Sequence, residues 1–256
     1  RNKDVLDSIK YAQRIQSSIL PPLDKLKHEF PESFVLYQPR DIVSGDFYWF
    51  EKVGDFFITA CADCTGHGVP GAFMSMIGTT LLSKAVEQKH VVRCEHALTE
   101  LDKELQKTLQ QTRQEDRVVV MDGMDIALIA INMKNGECHY SGANRPLYLI
   151  RDNEVTVYNS NRCSIGGGIG KDKTFEGVNI HVKPGDQLYV FTDGITDQFG
   201  GENNKKFKRD RLKKLLLDHC HQPMEEQHEA ILQGFNNWKG ENEQIDDILV
   251  IGIQIP

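Results

Sequence analysis

The stretch Ala62-Asp63-Cys64-Thr65-Gly66-His67-Gly68-Val69-Pro70-Gly71-Ala72-Phe73-Met74 decides the fold. It continues an apolar run, Phe56-Phe57-Ile58-Thr59-Ala60-Cys61-Ala62, that reads as a strand stopping at an acid, Asp63. Gly66, Gly68 and Gly71 mark the turn that follows. A helical pattern starts near Pro70 and Gly71, where proline is tolerated in a first turn. A carboxylate at a strand end, over glycines that let backbone approach a ligand closely, suits a hard cation with phosphate. Strand ends also carry acids with no chemical role, so this stretch by itself leaves both readings open.

Other acids stand in the same kind of place. Asp46 lies in Val43-Ser44-Gly45-Asp46-Phe47-Tyr48-Trp49, and Asp193 in Leu188-Tyr189-Val190-Phe191-Thr192-Asp193-Gly194. Asp246 and Asp247 open Asp246-Asp247-Ile248-Leu249-Val250-Ile251-Gly252-Ile253. Strand interiors disfavour Asp, and a buried carboxylate needs a positive partner. Acid clusters at strand ends, far apart in sequence, can converge on one site, and metal ions are the simplest partner for such a set. In this order and context, SGDFYW (44–49), ADCTGHGVPGAFMS (62–75), FTDGITD (191–197) and DDILVI (246–251) resemble the SpoIIE-type (stage II sporulation protein E-like) branch of the metal-dependent protein serine/threonine phosphatases, the PPM superfamily. The resemblance runs from about Leu20 to the end of the chain.

The remaining segments supply the architecture. Strands are expected at 34–38, 46–53, 55–62, 124–132, 137–142, 146–151, 154–158, 176–182, 187–192 and 247–255, and helices at 71–88, 95–112, 207–219 and 224–237. Asn135-Gly136 is a hairpin signal, and short strands joined by tight turns imply antiparallel sheets. Two packed sheets with helix pairs outside would satisfy every amphipathic face, giving an α+β class. The resembled family has that four-layer α/β/β/α sandwich, with its metal site at one edge of the paired sheets.

Residues 1–22 read as a linker helix ahead of a catalytic domain over 23–256. Val5, Ile9, Ala12, Gln16 and Ile19 follow the spacing of a coiled-coil seam, with Gln16 breaking the apolar stripe. The helix either packs on its own domain or pairs two protomers and connects to an upstream sensor region. The resemblance favours the second, a homodimer. Pro21-Pro22 ends the helix. A chain that begins at Arg1 is expected to be a fragment of a longer protein.

Composition narrows the function. A net charge of −7 argues against nucleic-acid binding. No run of about 18 apolar residues is present, so no membrane contact is expected of this segment. The six cysteines show no disulfide framework, and a reduced, cytoplasmic setting is expected. Cys61, Cys64 and His67 lack a second ligand pair for zinc. The glycine-rich loop 163–172 lacks phosphate-loop spacing.

The resemblance implies two divalent ions, Mn²⁺ or Mg²⁺, and assigns roles by matching positions. Asp46 and Asp63 would lie between the metals, and the backbone carbonyl of Cys64 would be a further ligand. Asp193 and Asp246 would complete the shell of one metal, with Asp247 in reserve. The family usually has Gly where Ser44 stands, and often where Cys64 stands; a carbonyl ligand does not require it. His67 is a candidate general acid or a turn residue, and Arg40 a phosphate clamp or a surface residue. Asp122 and Asp125 would hold a third, weaker metal or form a solvated turn. The expected activity is hydrolysis of phosphoserine or phosphothreonine on a regulatory phosphoprotein of the anti-sigma-factor-antagonist type. A catalytically silent relay module and a small-molecule phosphohydrolase are the alternatives.

Overall fold

The computed structural model describes residues 2–87, 93–111, 121–168 and 172–256. The chain opens with α1 (Asn2–Ile19), α2 (Leu23–Glu29), β1 (Ser33–Gln38), β2 (Asp46–Val53) and β3 (Phe56–Cys64), then α3 (Gly68–Glu87) and α4 (Cys94–Thr108). The middle is β4 (Gly123–Asn132), β5 (Glu137–Ala143), β6 (Leu147–Arg151), β7 (Glu154–Tyr158), β8 (Ile165–Gly166), β9 (Val178–His181) and β10 (Gln187–Phe191). It closes with α5 (Asp193–Asp197), β11 (Phe199–Gly200), β12 (Lys205–Lys206), α6 (Arg209–His219), α7 (Met224–Lys239) and β13 (Ile248–Gln254).

One sheet has the order β1-β13-β10-β6-β7 and the other β2-β3-β4-β5-β9, with β8 paired to β4. The strand ladders within them are antiparallel, with isolated parallel bridges at Ile126–Asn144 and Ala143–Asn161. The alternation of side chains along each strand makes the layers. Phe47 and Trp49 of β2, with Ile58, Ala60 and Ala62 of β3, pack with Leu82 of α3 and Leu98, Leu101 and Leu105 of α4. Their neighbours Tyr48, Phe50, Phe57 and Cys61 face the first sheet, meeting Leu188, Val190, Leu249 and Ile251. The outer face of that sheet, with Tyr189, Phe191 and Val250, is covered by Leu212 and Leu216 of α6 and Ile231 and Phe235 of α7. Each fully buried side chain of this size contributes about 1.5–3 kcal/mol. The result is the four-layer α/β/β/α sandwich.

The differences from the sequence reading lie in short elements. α2 has seven residues, too few to show a period, and is held by Leu26 and by the following Phe30, both in the core between the sheets. α5 and the β11–β12 hairpin are shorter still. The expected helix 95–112 ends at Thr108, and residue 112 lies outside the described residues. Part of the glycine-rich loop is β8, while 169–171 lie outside the described residues.

Gln16 does more than interrupt a stripe. It is buried; its Nε2 donates to the Ser44 carbonyl at 2.6 Å and to Ser75 Oγ at 2.9 Å, and its Oε1 accepts from the Ser44 amide at 3.1 Å. The C-terminal half of α1 is thereby fastened to the loop before β2 and to α3. Val5, Leu6, Tyr11 and Ile15 remain exposed. Among the described residues no helix is long and apolar enough to cross a membrane. All six cysteines are free.

Candidate active site

Strand register builds the site. Asp46 on β2 stands opposite Asp63 on β3, and Asp63 stands opposite Asp125 on β4. They share the strand parity of Tyr48, Cys61 and Ala127, so the three carboxylates form a row on the face turned to the other sheet. At the same end, that sheet contributes Asp193, where β10 runs through Thr192 into α5, and Asp246, just ahead of β13. β10 and β13 are paired neighbours, which brings these last two acids together. A cleft of about 250 Å³ opens there, with Asp63, Cys64, Asp125, Arg145, Asp193 and Asp246 among its walls.

The turn after β3 is compressed against the loop before β2. The Cys64 amide donates to the Gly45 carbonyl at 3.3 Å. A Cβ on Gly71 would collide with the Gly66 carbonyl, and Gly66 itself has φ +84°, which favours glycine. Thr65 ties the turn to β4, its Oγ1 accepting from the Gly123 amide at 3.0 Å.

Asp46 and Asp125 have hydroxyl and amide partners of their own, and Arg145 is shared by Asp63, Asp125 and Asp193. Asp46 is buried, and its Oδ2 accepts the Thr192 hydroxyl at 2.6 Å. Asp125 Oδ1 accepts from Asn144 Nδ2 at 2.9 Å and from Ser164 Oγ at 2.6 Å. Arg145, also buried, places Nη2 at 2.7 Å from Asp63, 2.8 Å from Asp193 and 3.2 Å from Asp125. Burial pushes Asp63 up to about 8; Arg145 opposes that, and Asp193, Asp246 and Asp125 add to it. Burial and then the charge of Asp63 raise Asp46 well above the ordinary carboxylate range. Burial also raises Asp246, while the Asp247 amide opposes it and Asp193 reinforces it.

The remaining candidates separate clearly. Asp247 is occupied by backbone amides, those of Gly45 at 2.7 Å and Arg40 at 2.8 Å, and is not among the residues lining the cleft. His67 is at the cleft, but Nδ1 meets Asp41 at 2.9 Å and Nε2 meets Arg40 Nη1 at 3.1 Å. Arg40 Nη1 also donates to the Ile245 carbonyl at 2.9 Å. Both His67 nitrogens thus have partners at the rim of the cleft. Asp122 stands outside the row, its carbonyl accepting from Gln111 Nε2 at 2.6 Å. Cys61 and Cys64 pack into different cores on opposite faces of β3, so they cannot share a metal with His67.

The donor chemistry fits a hard divalent cation: clustered carboxylates, several of them pushed up in pKa by burial and by one another. Among the described residues no three His, Cys, Asp or Glu side chains close on one point as metal ligands. Three carboxylates close on Arg145 Nη2 instead. Sequence reasoning missed Arg145, Asn144, Ser164 and Thr192. The one available signal was Asn144-Arg145 wedged between two apolar strands.

Two packed antiparallel sheets with an acid-lined cleft at one edge, taken with the similarities that follow, place the chain among serine phosphatase domains of the PP2C type. The chain belongs to the Stage II sporulation protein E (SpoIIE) family, whose model matches residues 54–256. The SiaA-PP2C domain of Pseudomonas aeruginosa is 32% identical, with a TM-score of 0.89, over 100% of this chain and 98% of that one. Phosphoserine phosphatase RsbU of Bacillus subtilis (strain 168) is 24% identical over 219 residues, 85% of this chain; the match spans 61% of that relative's length. The PP2C phosphatase domain of SpoIIE from Bacillus subtilis, solved with a fragment of its regulatory domain, shares the fold at 18% identity and a TM-score of 0.69, over 88% of this chain and 63% of that one.

Proposed function

We propose that this domain hydrolyses phosphoserine or phosphothreonine on a regulatory protein, using two Mn²⁺ or Mg²⁺ ions held by Asp46, Asp63, the Cys64 carbonyl, Asp193 and Asp246. The observation that carries this reading is the cross-strand row Asp46–Asp63–Asp125 facing Asp193 and Asp246 across the sheet edge. A bound ion pair would supply an activated water and neutralise charge on the phosphoryl oxygens.

The chain's own residues prepare that chemistry. Asp63 is central in the row, able to share its oxygens between ligands on either side. Thr192 fixes the orientation of Asp46. Asn144 and Ser164 hold one oxygen of Asp125 and leave the other turned to the cluster. The acids crowd one edge of the sandwich, so a phosphorylated residue on another protein can reach them from solvent. An anti-sigma-factor antagonist is the substrate class the family resemblance suggests. An upstream sensor would act through α1, whose exposed Val5, Leu6 and Tyr11 would pair two copies of the chain. A reduced, cytoplasmic setting suits the free cysteines.

Phosphate release from a phosphoserine peptide and from an aryl phosphate tests the reading. Turnover with Mn²⁺ or Mg²⁺ is expected, with loss in chelator and in Asp63→Asn. Turnover indifferent to chelator, or intact in the variant, would refute it.

A further inference from the structure

Arg145 has a geometry at odds with how arginine usually grips carboxylates. The guanidinium normally presents a two-nitrogen fork to one acid. Here a single nitrogen, Nη2, contacts Asp63, Asp125 and Asp193 at 2.7, 3.2 and 2.8 Å. An Nη amino group has two hydrogens, so three carboxylates over-subscribe it. Meanwhile Nε of the same side chain is buried with no hydrogen-bond partner, an arrangement that carries a desolvation cost. Three acids from β3, β4 and α5, contributed by both sheets, therefore converge on a point of positive charge rather than on a fork. Arg145 also lies in the wall of a second cleft of about 410 Å³, which it shares with Asp125, Asp193, Asp197, Lys206, Lys208 and Arg209.

We propose that Arg145 is an exchangeable internal cation. Its Nη2 occupies the meeting point of the carboxylates, and divalent ions bind only as it withdraws towards the second cleft. The inference rests on the metal-site reading above and adds a competitor within the chain. A divalent ion held by Asp63 and Asp193 would compete with the guanidinium for them, so each would weaken the other's hold, by a coupling that is reciprocal.

Mn²⁺ binding by calorimetry, and thermal unfolding in chelator and in Mn²⁺, would be measured for the wild type, Arg145→Gln and Arg145→Lys. The Gln variant keeps a donor and removes the charge; the Lys variant keeps the charge. Expected for Arg145→Gln are an Mn²⁺ affinity raised about tenfold or more, a lower midpoint in chelator, and a larger upward shift on adding Mn²⁺. Arg145→Lys should stay closer to the wild type in all three. A Gln variant that folds only with Mn²⁺ also supports exchange. A wild type that binds Mn²⁺ and a Gln variant that binds no tighter overturns the inference and leaves the metal site standing. Absence of binding in every variant overturns both. Should the variants not fold, the wild type decides. The Arg145 guanidinium NMR signals should change from held to freely rotating as Mg²⁺ saturates the protein, and unchanged signals would overturn the proposal.

Discussion

Thr192 shows how much a single hydroxyl can control at this site. It donates to buried Asp46 at 2.6 Å, and its Oγ1 also accepts the Leu249 amide at 3.0 Å. The hydroxyl therefore links the end of β10, β13 and the first acid of the row. Thr192→Val keeps the shape and removes the link. It is expected to lower Mn²⁺ affinity or activity about 10–100-fold, the usual cost of losing a group that orients a ligand; an unchanged titration would refute this. Asp63 gives a pH prediction. Its folded-state pKa is raised from 3.8 to about 8, so across that window the folded chain binds more protons than the unfolded one. Stability in chelator should therefore fall as pH rises from about 4 to 8. Asp63→Asn removes that contribution, so the stability difference between wild type and variant should drift with pH. A difference constant in pH, measured by denaturant unfolding, would contradict it. Divalent ions need the deprotonated form, so their affinity should rise over the same window.

At the scale of elements, α1 and the β1–β2 loop act together. Gln16 makes the hydrogen bonds that hold Ser44, and Ser44 Oγ in turn accepts from the Asp46 amide at 3.0 Å. The end of the first helix is thus two residues of contact away from the first acid. Gln16→Ala leaves the buried Ser44 amide without this partner. A destabilisation of about 1–3 kcal/mol is expected in denaturant unfolding, together with weaker Mn²⁺ binding as Asp46 loosens. A loss confined to stability would mean that the latch serves the fold alone. In the sequence Gln16 read as a break in the apolar stripe of residues 1–20. Its partners, Ser44 and Ser75, are distant in sequence and carry no periodic signal.

For the whole molecule, the two sheets bury their facing sides on one another, and the helix pairs cover the outer sides. Between α1 and α3, Ala12, Ile15, Val69, Phe73 and Met76 line an apolar groove of about 170 Å³, and Phe73 is 64% exposed. An apolar groove with exposed Ile15, Val69 and Phe73 at its walls is a place where a partner could bury apolar surface. Pairing of two copies along α1 predicts a dimer in sedimentation equilibrium. A chain lacking residues 2–19 should be monomeric with altered Mn²⁺-dependent activity. The same mass and activity in both would remove the case for α1 as the pairing and relay element.

The sequence by itself determined the layered architecture. Period-two alternation in strands and amphipathic faces in helices are local patterns, and burying all of them leaves little choice beyond two sheets between helix pairs. It also marked Asp46, Asp63, Asp193 and the pair Asp246-Asp247, because an acid at the end of an apolar strand is visible without a partner. Tertiary structure decided what local pattern does not encode. Strand register set Asp125 opposite Asp63 and left Asp122 ahead of the strand. The meeting of two backbone amides at Asp247 separated it from Asp246. Burial beside acids from both sheets made Arg145, an ordinary turn residue in sequence, the cation at their centre. Register and convergence depend on contacts between residues dozens of positions apart, which only the folded chain brings into being.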